Sequence, residues 1–201
     1  MAANTHDAIL LFGYPGCGKG TQGVTLAGMP NLVHLAMGDI FRALDKQSAT
    51  GKEFLSYSSK GLLVPDDLTI RVWREHVDRC IEEGIVVPGY HVLILDGLPR
   101  TPSQVQLLSP LIAVLKIIHL KMADQSKLIE RLSQRAAKSN RPDDAKESVI
   151  RKRIKVYENE TLPVLECFDR GLIADINADQ PPLAVLGDIC GALVPVVPAN
   201  I

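Results

Sequence analysis

The apolar run Ala8-Ile9-Leu10-Leu11-Phe12 leads directly into Gly13-Tyr14-Pro15-Gly16-Cys17-Gly18-Lys19-Gly20-Thr21. The first run reads as a buried strand, and the glycine-rich one as a turn that opens a helix. Glycines let a backbone bend sharply and bring its N–H groups up to an anion with no Cβ in the way. The helix after Thr21 adds the partial positive charge of its N-terminus. Lys19 supplies a mobile point charge for the outer phosphates of a nucleotide. The spacing Gly-x4-Gly-Lys is that of a phosphate-binding P-loop, with Gly20 where Ser or Thr commonly ligates Mg²⁺ and the hydroxyl one residue later, at Thr21. Strand, loop, lysine and helix in that order point to a bound nucleotide.

A chain of 201 residues suits one α/β domain with small insertions, and 46% apolar and 22% charged residues are the proportions of a globular protein. The formal net charge of −1 gives no electrostatic footprint for a nucleic acid or a membrane surface. The four cysteines, Cys17, Cys80, Cys167 and Cys190, lie far apart, which argues against a zinc site or a disulfide framework and suits a reducing compartment. Amide donors around Cys17 would favour its thiolate and make it oxidation-sensitive; a small side chain that merely fits the turn is the plainer reading. Met1 to Asp7 is short and polar, so no signal peptide is expected, and Leu111 to Leu120 is broken by Lys116 well short of a membrane span. These features predict a cytoplasmic protein.

Five apolar runs read as buried parallel strands: Ala8–Phe12, Leu32–Ala36, His91–Leu95, Val114–Leu120 and Leu172–Ile176. Helical patterns alternate with them, among them Leu68–Glu83, with Ile70, Trp73, Val77 and Ile81 on one face, and Ser148–Asp169, interrupted by Pro163. The alternation predicts a doubly wound parallel five-stranded sheet of the P-loop NTPase type, helices on both faces, with ligands at the carboxyl ends of the strands. Two segments fit the alternation poorly, one from about Met37 to Pro65 and one from about Gln134 to Asp144, and both read as small lobes over the ligand face. The tail Gly191–Ile201 is proline-rich and expected to fray. His6, His34, His76, His91 and His119 show no ligand-like spacing and read as structural or surface residues, and Trp73 as a core residue.

Further motifs join the loop: Gly38-Asp39-Ile40-Phe41-Arg42, then Asp96-Gly97-Leu98-Pro99-Arg100-Thr101 with Gln104, then Arg131, Arg135 and Arg141-Pro142-Asp143-Asp144, then Arg153. Together they closely resemble those of adenylate kinases, from about Ile9 to Gln180. The resemblance implies a single nucleoside monophosphate kinase domain over 1–201, with a core of 1–36, 66–133 and 145–201, an acceptor-binding lobe at 37–65 and a short lid at 134–144. It implies transfer of a phosphoryl group from MgATP to AMP, giving two ADP, by a monomer with no nucleic-acid or membrane partner. Such a transfer needs two polyanions held in line, water excluded, and positive charge around the moving group. Arginine suits that task because its planar fork binds phosphate in bidentate fashion and stays charged.

By the same resemblance Gly16, Cys17, Gly18, Lys19, Gly20, Thr21, Arg131, Arg135 and Gln180 would hold ATP, with Arg131 stacked on the donor adenine. Arg42 and Arg100 would hold the acceptor phosphate, and Met37, Gly38, Leu62, Leu63, Val64, Gly97, Leu98 and Gln104 would frame AMP. Arg141 and Arg153 would face both substrates, and Lys19, Arg100, Arg135, Arg141 and Arg153 would be the catalytic cations. Asp96 would hold the water shell of Mg²⁺, which keeps several of its waters; Asp39 either joins that shell or caps the next helix. Asp143 and Asp144 would support the lid arginines.

The chain departs from the family pattern at three places. Met37 stands where Thr or Ser is usual, and a thioether packs on a base without donating a hydrogen bond. Leu98 stands where Phe is usual. One extra residue lies between Asp144 and Arg153; on a helix one residue turns a side chain by about 100°, so the loop before the helix is expected to absorb it. Only five residues separate Arg135 from Arg141, a short lid similar to those of cytosolic adenylate kinases and of pyrimidine monophosphate kinases. From the sequence, a UMP or CMP acceptor and a nucleotide-binding protein without turnover both stay open.

Overall fold

In a computed structural model that describes residues 5–139 and 146–197, five strands form one parallel sheet in the order β2-β3-β1-β4-β5. They are β1 His6–Gly13, β2 Leu32–Ala36, β3 Val92–Asp96, β4 Ile112–Lys121 and β5 Ile173–Asn177. All five expected strands are present, with ends shifted by a residue or two. The central strand β1 alternates its side chains between two cores. Ala8, Leu10 and Phe12 enter one, and Ile9 and Leu11 enter the other. Residues buried on both sides account for the unbroken apolar runs.

The first core is closed by α2 (Met37–Ala43), α4 (Asp66–Glu82) and α5 (Pro102–Leu108) through Ile40, Phe41, Leu68, Trp73, Val77 and Leu108. The second is closed by α1 (Lys19–Leu26), α6 (Gln125–Ser139), α7 (Glu147–Val156) and α8 (Pro182–Leu193) through Leu26, Leu128, Leu132, Ile150, Ile154 and Ile189. Helices therefore cover both faces. The carboxyl end of β1 opens into the glycine-rich loop in the middle of the sheet, and β2 and β3 end beside it at Ala36 and Asp96.

Asp66 and Asp67 occupy the first turn of α4, where carboxylates favour the helix dipole, so this helix starts two residues before the expected Leu68. The helical pattern expected over Ser148–Asp169, interrupted by Pro163, is present as three successive windings. The α-helical part ends at Val156, a π-helical turn spans Tyr157–Thr161, and a 3₁₀ stretch covers Leu162–Cys167. Pro163 has no N–H to donate and forces that change of winding. The expected fraying from Gly191 is corrected, because α8 runs on to Leu193, which is buried with Val185 and Ile189 at helical spacing. Between β2 and α4 the chain forms α2 and α3 (Ala49–Ser58), and α6 continues through residues 134–139. Arg141, Asp143 and Asp144 lie outside the described residues. Among the described residues no helix is long and apolar enough to cross a membrane.

Candidate functional site

The loop after β1 turns through three glycines with positive φ: Gly13 at 143°, Gly16 at 86° and Gly18 at 109°. Cys17 N donates to Tyr14 O at 3.1 Å and closes the turn, and Gly18 is the residue from which α1 springs. Lys19 Nζ lies along the rim of the loop, donating to Gly13 O at 2.6 Å and to Tyr14 O at 3.1 Å. Cys17 itself is buried, and its Sγ would meet a Cβ on Gly13 at 2.7 Å. Burial pushes the Cys17 thiol up, against the opposing pull of Lys19. Of the two readings of Cys17, the small side chain that fits the turn is the one supported, since desolvation outweighs the amides. A thiol reagent on the native protein is accordingly expected to label the exposed Cys167 and Cys190 and leave Cys17 and Cys80 unmodified, readable as two adducts by mass spectrometry.

Asp96, at the end of β3, brings its carboxylate to the floor of the loop, 3.7 Å from where a Cβ on Gly20 would stand. Burial alone would raise its pKa, but His34 and the cations Lys19 and Arg100 outweigh burial and hold the carboxyl below the ordinary aspartate range. His34 Nε2 is 3.7 Å from Asp96 Oδ2, an electrostatic contact longer than a hydrogen bond, and no hydrogen-bond partner for it exists among the described residues. The same imidazole fills the space a Cβ on Gly23 would need. The sequence carries no signal that couples His34 to Asp96. His119 is a core residue whose Nδ1 lies 2.9 Å from Asp175 Oδ1.

On the α2 side, Arg42 Nη2 donates to Asp39 Oδ1 at 2.6 Å, and the guanidinium lies over Gly38. Asp39 sits inside the first turn of α2 and does not cap it; the cap position is Ala36. Arg100 Nε donates to Gly97 O at 2.8 Å, and a Cβ on Gly97, whose φ is 81°, would stand 2.6 Å from Arg100 Nη2. That glycine lets the arginine fold back over its own turn. Gln104 Oε1 accepts from Arg100 N at 2.7 Å. Met37 is buried, at 3% exposure.

A cavity of about 890 Å³ joins the two sides. It brings together Lys19, Arg42, Arg100, Arg131, Arg135 and Arg153, which come from five separate places in the chain, Arg131 and Arg135 sharing α6. The expected loop residues Gly16 to Thr21 line it, with Asp39 and Asp96. Met37, Gly38, Leu62, Leu63, Val64, Gly97 and Gln104 line the α2 side, and Gln180 the α8 side. Leu98 does not line it; the side chain packs in the first core. Arg153 reaches the wall beside Gly61, where its Cγ would meet a Cβ at 3.1 Å, so α7 presents this arginine to the cavity despite the extra residue before it.

Several wall residues lie outside every motif, among them Phe54, whose ring stacks on Phe41 at 4.9 Å, and Tyr157. Tyr14 and Tyr157 rings meet at 4.6 Å, and Tyr14 OH donates to Glu158 Oε1 at 3.1 Å, which also accepts from Gln125 Nε2 at 2.8 Å. Among the described residues the cavity is lined by the glycine-rich loop, five arginines and a buried carboxylate held ionised. A cavity of this volume and charge suits two phosphorylated ligands placed end to end.

The family model described as adenylate kinase matches residues 11–172 of the chain. An adenylate kinase of Cyanothece sp. is 36% identical over 188 residues, 90% of this chain and 92% of the relative. One of Bifidobacterium longum is 38% identical over 176 residues, 84% and 90% of the two chains. One of Thermobifida fusca is 36% identical over 179 residues, 86% and 90%.

Proposed function

Since the chain belongs to the adenylate kinase family, we propose that it catalyses reversible transfer of the terminal phosphoryl group of MgATP to AMP, giving two ADP. The observation that carries this reading is the convergence of Lys19 and five arginines on one cavity whose two arms are built on different cores. The loop amides and Lys19 hold the donor phosphates, with Arg131, Arg135 and Gln180 on the donor nucleotide. Arg42 and Arg100 hold the acceptor phosphate, and Arg153 faces the point of transfer. Arg141 belongs to the same set by resemblance. No residue need take up covalent phosphate, because the reaction requires alignment, exclusion of water and charge compensation.

Mg²⁺ fits Asp96. The carboxylate is buried and ionised beside Lys19 and offers acceptor oxygens to the waters of a hydrated ion. When bound with ATP the ion neutralises phosphate charge and orients the donor chain. Asp39 contributes to the Arg42 turn rather than to a helix cap. Residues 37–65 serve as the acceptor lobe, and 134–144 cover the donor. The protein acts as a cytoplasmic monomer on this reading: its isolated thiols suit a reducing compartment, and its own chain lines both arms of the cavity.

The test is ADP formation by the purified protein with MgATP and AMP, CMP, UMP, GMP or dTMP in turn. A preference for AMP is expected. A preference for UMP or CMP would shift the acceptor class on the same fold, and ATP binding without product from any of the five would leave a nucleotide-binding protein without turnover.

A further inference from the structure

The carboxylate of Asp66, the first residue of α4, makes two contacts across the chain. Its Oδ1 accepts from Gln104 Nε2 at 2.7 Å, and its Oδ2 accepts from Thr101 Oγ1 at 3.0 Å. On the other side of the same amide, Gln104 Oε1 accepts from Arg100 N at 2.7 Å. A primary amide offers two N–H donors and two lone pairs, so one of each remains once these bonds are made. Gln104 borders the cavity with only 1% of its surface exposed, so little water competes for the amide there.

Both neighbours are chemically one-sided. A carboxylate with no proton can only accept, and a backbone N–H can only donate. Rotating the amide by 180° would set its oxygen against Asp66 and its NH₂ against the Arg100 N–H, leaving buried groups unpaired at both ends. We propose that Asp66 is a specificity-determining residue, fixing the amide of Gln104 in one orientation and thereby selecting the acceptor base by its hydrogen-bond pattern. This rests on the reading of Gln104 as facing the acceptor base.

The selection has a definite chemistry. The locked amide presents an N–H and a carbonyl lone pair side by side. Adenine matches it with a ring-nitrogen acceptor and an exocyclic amino donor, and cytosine carries the same pair on a smaller ring. Hypoxanthine, guanine and uracil carry the reverse, a ring N–H beside a carbonyl. Cavity size separates adenine from cytosine, and the amide rejects the reversed set.

The experiment measures kcat/KM with MgATP and four acceptors, in the matched pairs AMP against IMP and CMP against UMP, for the wild type and for Asp66→Asn. Each pair shares sugar and phosphate, so damage to Arg100 or to the fold lowers both members alike and leaves the ratio unchanged. The wild type is expected to favour AMP over IMP and CMP over UMP. Asparagine can turn either an oxygen or an NH₂ toward Gln104, so Asp66→Asn is expected to lower both ratios by about 10-fold, the size of one lost buried hydrogen bond. Equal wild-type use of the members of each pair overturns the proposal whether or not the variant folds. So do unchanged ratios in a folded variant. Either result leaves the kinase reading standing, whereas absence of product from AMP and from every other acceptor overturns that reading and the proposal together.

Discussion

Lys19→Ala is expected to lower kcat by about 10²–10³-fold or more, the scale seen when a preorganised charge is removed from a transition state, while the protein stays folded. The side chain reaches the rim of the loop and is held there by two backbone carbonyls, Gly13 O and Tyr14 O. Its removal costs those partly buried bonds, about 1 kcal/mol each, and lowers Tm by only a few degrees for a chain of this size. What it deletes from the reaction is larger, because the ammonium is the cation on the loop itself and no loop neighbour can take its place. Steady-state ADP formation alongside thermal unfolding separates the two effects. Arg100→Ala is expected to behave similarly for the acceptor, and wild-type rates in either folded variant would sink the assignment.

Gly13→Ala is expected to cost about 2–4 kcal/mol of stability, combining backbone strain with overpacking. Gly13 has φ of 143°, and a Cβ there would stand 2.7 Å from both Cys17 Sγ and Leu120 O. The carbonyl belongs to β4, paired on both sides, and cannot retreat without breaking the sheet. Gly89→Ala is the comparison: φ is 79° but nothing lies within 4 Å of the added atom, so only the strain remains, about 1 kcal/mol. Denaturant unfolding of the two variants reads the difference directly. Equal losses would mean that the phosphate loop yields more readily than its packing implies.

The strands are legible because both faces of a parallel sheet are buried, and Ala8–Phe12 or Val114–Leu120 cannot hide that demand. The loop is legible because Gly16, Gly18 and Lys19 sit at fixed offsets that an anion-binding turn requires. Less visible is what depends on contacts across the chain. Nothing local says that a π-helical turn precedes Pro163, or that Leu98 turns into the core while its neighbours Gly97 and Arg100 face the cavity. For Cys17 the sequence leaves a reactive thiolate open beside the plainer packing reading, because amide donors are written in the sequence and burial is not. The coupling of Gln104 to Asp66 joins residues 38 positions apart, and Asp66 alone reads as an ordinary acidic residue at a helix N-terminus.

The sheet separates more than two sets of side chains. The groups proposed for the acceptor stand on α2, α5 and the turn after β3, which are anchored in one core. Those proposed for the donor stand on α1, α6 and the turn before α8, which are anchored in the other. A packing change on one face therefore reaches one nucleotide's contacts before the other's. On the proposed roles, a loosened hold on the monophosphate need not disturb the grip on ATP, and α7 with its Arg153 is the part that must answer to both.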